Sequence, residues 1–118
     1  MDYKRIYNDI MNIDPKIRLV TICDNDGKIM CSVHREGVNN LLSPEESKKS
    51  LELAVNSWKT RIGLEPKIGK GKYVLAEYEK IKRITMPLDD KHLLYVTTEV
   101  ECDHSALIDR IQRLEYIF

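Results

Sequence analysis

The sequence carries no surplus charge of either sign. Nineteen lysines and arginines offset 19 aspartates and glutamates, for a formal net charge of zero. A protein built to coat nucleic acid carries a basic excess, so that class is disfavoured. The same balance removes the repulsion that keeps copies apart and favours self-association. Cysteine is scarce: Cys23, Cys31 and Cys102 are odd in number and lack CxxC spacing. That excludes a disulfide framework and the short paired motifs of zinc sites, and points to a reduced, cytoplasmic compartment. No apolar run approaches the roughly 18 residues of a membrane helix. Met1 to Arg5 leads into a mixed pattern, not the hydrophobic run of a secretory signal. Repeats, low-complexity tracts and linkers are missing too, so the 118 residues read as one domain.

The motifs of catalysis are also missing. Gly69-Lys70-Gly71-Lys72 is glycine-rich and basic but lacks the Gly-x4-Gly-Lys-Ser/Thr spacing of a phosphate loop. Asp24-Asn25-Asp26-Gly27 begins like a calcium loop, but Arg35 stands where the distal glutamate is needed. His34, His92 and His104 have no nucleophile elbow beside them. Two of the three lie near turns, where exposure is the ordinary reason for a polar ring. No enzyme, cofactor or metal is therefore expected.

What is present is a regular alternation of patterns. Tyr3, Ile6, Tyr7, Ile10 and Met11 make one helical stripe, with Asp2 as N-cap and Asp14-Pro15 as terminator. Residues 17–34 read as a β-hairpin turning at Asp24-Asn25-Asp26-Gly27, where Asn, Asp and Gly tolerate positive φ. Cys23 and Cys31 fall on its two strands, either opposite or diagonal, which leaves buried thiols and a disulfide both open. Ser43-Pro44-Glu45-Glu46 opens a long helix through an N-cap, a proline at N1 and a capping box. Gly63 is the expected stop, and Leu51, Ala54, Val55, Trp58 and Ile62 the core stripe. Residues 64–71 read as a loop. Strands follow over about 72–79, 82–88 and 93–100, with Pro87 at a strand end because it cannot donate to a ladder. Asp103 caps a last helix whose stripe is Leu107, Ile108, Ile111, Leu114 and Phe118.

This order, α-β-β-α-β-β-β-α, with the Asp24–Gly27 turn and the long middle helix, resembles the roadblock/LC7 family, within the wider longin- and profilin-like group. The resemblance covers essentially the whole chain. It implies an α+β fold: a five-stranded antiparallel sheet with one long helix on one face and two terminal helices on the other. It also implies a non-enzymatic, homodimeric adaptor that pairs through the middle helix and the adjacent edge strand. Members of the family serve small GTPases, motor complexes or signalling scaffolds.

One feature of the residues favours such pairing independently. At about 100° per residue from Leu51, Leu53 falls near 200°, opposite the core stripe, flanked by Ser50, Ser57 and Thr60. A lone exposed leucine is ordinary, but a leucine among small residues also suits close helix packing. With the resemblance, the candidate interface comprises Glu46, Ser50, Leu53, Ser57 and Thr60 on the helix and Tyr73 and Leu75 after it. Lys67, Lys70, Lys72, Lys82 and Arg83 form a basic stretch, a solvated surface by default and a candidate surface for an acidic partner. Two alternatives stand beside the adaptor: a profilin- or PAS-like sensor holding a small ligand between sheet and helices, and a nucleic-acid-associated regulator using the basic stretch.

Overall fold

A computed structural model describes residues 1–114. Phe118, expected on the last helical stripe, lies outside the described residues. Elements run α1 (Tyr3–Met11), β1 (Ile17–Asp24), β2 (Ile29–His34), α2 (Pro44–Ile68), β3 (Val74–Glu77), β4 (Ile81–Pro87), β5 (His92–Glu99) and α3 (His104–Gln112). The strands form one five-stranded sheet, ordered β2-β1-β5-β4-β3, in which every neighbouring pair is antiparallel. The long helix α2 covers one face, and α1 and α3 share the other.

The local signals act as their chemistry requires. Asp2 accepts from the backbone of Arg5, and Asp103 from that of Ala106, at the starts of α1 and α3. The Asp24 carboxylate accepts from the N–H groups of Asp26 and Lys28 while Gly27 takes φ 87°, which closes the hairpin. These bonds, that from Lys28 foremost, hold the Asp24 carboxyl below its usual range. The loop register shifts between Ile22 and Cys23, so Ile22, not Cys23, pairs with Cys31. Cys23 and Cys31 consequently face opposite sides of the sheet, and all three cysteines are free thiols.

The register sorts the sheet into two unlike surfaces. Facing α1 and α3, the cross-strand rows are Val33–Val20–Val96–Ile84–Leu75 and Cys31–Ile22–Leu94–Met86. Ile6 and Ile10 from α1 and Leu107, Ile108 and Ile111 from α3 close over them in an aliphatic core. Facing α2, the rows are Ser32–Thr21–Tyr95–Thr85–Val74 and His34–Leu19–Thr97–Arg83–Ala76. This side is rich in hydroxyls. Leu51, Val55 and Trp58 pack there against Cys23, Leu93 and Tyr95. Burial followed by the charge of Asp24 pushes the Cys23 thiol up to about 11.

Arg35, which carried no signal in the sequence, locks the α1–β1 junction. Its guanidinium donates to the carbonyls of Ile17 at 2.6 Å, Met11 at 2.7 Å and Asp14 at 2.9 Å.

One boundary and one core position differ from expectation. The helix α2 does not stop at Gly63 but runs 25 residues through it and through Pro66. Glycine permits a left-handed stop without imposing one. Here Gly69 takes that role at φ 85°, its N–H bonding the Glu65 carbonyl at 2.9 Å. Residues 64–68 are therefore helical, not loop. Ile62, expected in the core, is 51% exposed, because it lines an open groove with Trp58, Gly71 and Leu93 instead of packing closed.

Candidate interaction surface

Pro44 at N1 and the Ser43–Glu46 capping box fix where α2 begins. Glu46 Oε1 accepts from the Ser43 N–H at 2.9 Å, and Ser43 Oγ from the Glu46 N–H at 3.2 Å. The Ser43 backbone bond, then its hydroxyl, draw the Glu46 carboxyl below its usual range. Register against the sheet is set by two polar pins. Trp58 Nε1 donates to Thr85 Oγ1 at 2.9 Å, and Ser50 Oγ lies 2.9 Å from Tyr95 Oη. Ser50 therefore turns to the sheet instead of flanking an outer face. Ser57 is half buried and accepts from Arg61, whose guanidinium lies 5.3 Å over the Trp58 ring.

On the outer side, Leu53 is 69% exposed with Thr60 on the same face. The longer helix adds two aliphatics that stopping it at Gly63 had hidden. Leu64, at about 220° from Leu51, is 46% exposed, and Ile68, at about 260°, is 79% exposed. The readable signal was Leu64-Glu65, two good helix formers after the glycine. Tyr73 is exposed just ahead of β3, an edge strand of the sheet. Leu75 does not share this side: it is half buried and packs on the aliphatic core beneath α1 and α3.

The basic stretch is not one surface. Lys67, Lys70 and Lys72 are exposed, but Lys82 is buried. Its ammonium donates to the Cys102 carbonyl at 2.9 Å and lies 3.0 Å from His104 Nδ1 and 3.7 Å from Glu77 Oε1. Arg83, next in a pleated strand, points to the opposite face. The reason is the period of two, which sequence proximity alone disguises.

The histidines near turns are not merely solvated. His92 lies 3.1 Å from Tyr3 Oη through Nε2 and 2.8 Å from Asp89 Oδ1 through Nδ1, tethering α1 to the β4–β5 turn. Asp89 is pushed up by burial, but the Lys91 N–H and the His92 ring outweigh this and leave its carboxyl below the usual range. Among the described residues, no group of three or more His, Cys, Asp or Glu side chains is placed to hold a metal. Nor is any described helix long and apolar enough to cross a membrane.

No protein-family model and no curated protein matches the chain. Solved structures do. A roadblock/LC7 domain from Streptomyces avermitilis superposes with a TM-score of 0.71 at 14% identity, covering 94% of this chain and 89% of its own. The gliding protein MglB from Thermus thermophilus gives 0.73 at 10% identity, over 93% and 82%. An MglB described in a tetrameric arrangement gives 0.66 at 11%, over 94% and 88%. Strand order, helix layering and these superpositions agree: the chain has the roadblock/LC7 fold.

Proposed function

We propose that this chain is a homodimeric adaptor whose copies pair through the outer face of α2 and the adjacent β3 edge. The joined surface is offered to a protein partner, with a small GTPase the class the fold resemblance favours. One observation carries the reading: Leu53 and Leu64 stand exposed on the outer side of a 25-residue helix, with Ile68 exposed at its end. Aliphatic side chains interspersed with Ser57 and Thr60 let a second helix approach closely. Beside them, β3 presents unpaired backbone groups that a second copy can extend. Zero net charge sets no barrier to like-with-like contact, and an MglB of this fold is described in a tetrameric arrangement.

Size-exclusion chromatography with light scattering at micromolar concentration tests the pairing. A mass of twice the chain is expected, and the mass of a single chain at every accessible concentration overturns it. Affinity capture from the native cell, with GDP or a non-hydrolysable GTP analogue in the lysate, tests the partner class. A GTPase recovered in a nucleotide-dependent manner supports it; protein partners without any GTPase refute that part and leave the adaptor.

A further inference from the structure

Beneath the N-terminal half of α2, part of the hydroxyl-rich side of the sheet is left uncovered. The row His34–Leu19–Thr97–Arg83 floors a groove of about 780 Å³, walled by Leu51 and by residues 38–42. Small-molecule sites have this size and this mixture of apolar wall and few polar groups. The groove lies apart from the outer face of α2.

Arg83 is the unusual member. Its guanidinium lies 5.1 Å from the Tyr95 ring centroid and 5.3 Å from that of Tyr78, with Nη1 donating to Tyr78 Oη at 3.3 Å. Its Nε is the one buried side-chain nitrogen or oxygen among the described residues without a hydrogen-bond partner. The neighbouring Arg18 is engaged: it pairs with Glu99 and donates to the Asn39 carbonyl, each at 2.8 Å. Among the described residues no carboxylate pairs with Arg83. Unspent buried donors are rare and call for an acceptor.

The hydroxyls nearby are also donors in waiting. Thr21 Oγ1 and Ser32 Oγ lie 2.8 Å apart, and Ser50 Oγ and Tyr95 Oη 2.9 Å apart. Each pair uses one of its two hydrogens between its oxygens, so each keeps one for a ligand. At the rim, Lys28 and Lys48 oppose Asp26 and Glu52, and Asp26 is already 3.7 Å from Lys59.

We propose that this groove binds a small carboxylate with an apolar body. The carboxylate meets Arg83 and the spare hydroxyl hydrogens; the body lies on Leu19, Leu51 and the Tyr95 ring. Because Nε is covered, a two-pronged contact requires the guanidinium to swing off Tyr78. Arginine is the side chain suited to such forked recognition.

The test is a ¹⁵N-edited NMR titration with acetate, isovalerate, phenylacetate and indole-3-acetate, each to about 10 mM, which detects millimolar dissociation constants. Phenylacetamide is the neutral control. At least one acid should give saturable shifts at the Thr21, Ser32 and Thr97 amides and at Arg83 Nε–H. The amide and the variant Arg83→Gln should each bind about tenfold more weakly, the worth of one charge-assisted contact. Ser32→Phe, at an exposed edge position, should block the groove and abolish binding while the remaining spectrum stays folded. The proposal falls if none of the four acids saturates, if the shifts map to the α1–α3 side, or if the amide or Arg83→Gln protein binds as tightly as the acid and parent.

Discussion

Gly71 sits against the edge of Trp58 so closely that a Cβ built on it would lie 2.7 Å from Cζ3 and 3.2 Å from Cη2 of the indole. The ring has little room to yield, because Nε1 is bonded to Thr85 inside the core. Gly71→Ala should therefore destabilise the fold by about 1–3 kcal/mol, the usual range for overpacking. A Cβ at Gly63, inside α2, would meet nothing within 4 Å. Gly63→Ala should stabilise by about 0.5–1 kcal/mol through helix propensity. Urea unfolding of both variants separates the two signs, and equal effects would contradict this packing.

The three carbonyls served by Arg35 make a second prediction. Arg35→Met keeps much of the aliphatic stem but takes the guanidinium away from the carbonyls of Ile17, Met11 and Asp14, of which Asp14 keeps the Ile17 N–H. Charged hydrogen bonds and stranded polar groups together put the loss at about 2–4 kcal/mol. Chemical denaturation reads it directly. A loss under about 0.5 kcal/mol, the level of ordinary surface substitutions, would show that water replaces the guanidinium.

Leu53 and Leu51 lie two residues apart on opposite sides of α2. If copies pair through the outer face, Leu53→Glu places a carboxylate on each side of the two-fold axis and desolvates both, a cost of several kcal/mol per charge. That variant should be folded and monomeric by circular dichroism and sedimentation velocity. Leu51→Glu, in the buried cluster with Trp58, should unfold. A dimer of undiminished strength in Leu53→Glu would remove the outer face from the interface.

Acid should weaken the fold through Asp24, Glu46 and Asp89. All three carboxyls titrate below their usual range in the folded protein. Such groups contribute stability that is full above their unfolded values of about 4 and lost as pH falls through the lower folded values. Denaturant midpoints should therefore be steady from neutral pH down to about pH 5 and fall below about pH 4. Asp24→Asn should flatten that fall, since the hairpin turn then no longer depends on a charge. An unchanged slope would assign acid sensitivity elsewhere.

Much of the fold was legible because its signals are local. Ser43, Pro44 and Glu46 mark a helix start within four residues, and Asp24 to Gly27 mark a turn within four. The helix end was not legible, because Gly63 and Gly69 carry the same local signal and only the full chain decides which turns left-handed. The candidate surface was half legible. Leu53 followed from helical geometry, whereas Leu64 and Ile68 depended on that misplaced end. Lys82 and Arg83 looked alike in sequence, and only strand register put one beneath a carbonyl and the other between two tyrosines. Arg35 was invisible because its partners lie 18 to 24 residues earlier in the chain.

The two unlike surfaces of the sheet set an order of opening. The side beneath α1 and α3 is sealed by aliphatic groups from both helices, so neither helix can leave without exposing the shared core. By contrast, α2 is fastened by Leu51, Val55, Trp58 and two hydroxyl pins, with most of its length bare to water. Of the two helical layers it is therefore the one held by fewer buried side chains. Amide exchange should accordingly find α2 released at a lower free energy than β5, at the centre of the sheet. A second copy seated on α2 would then act as a clasp, slowing that release more as the protein concentration rises.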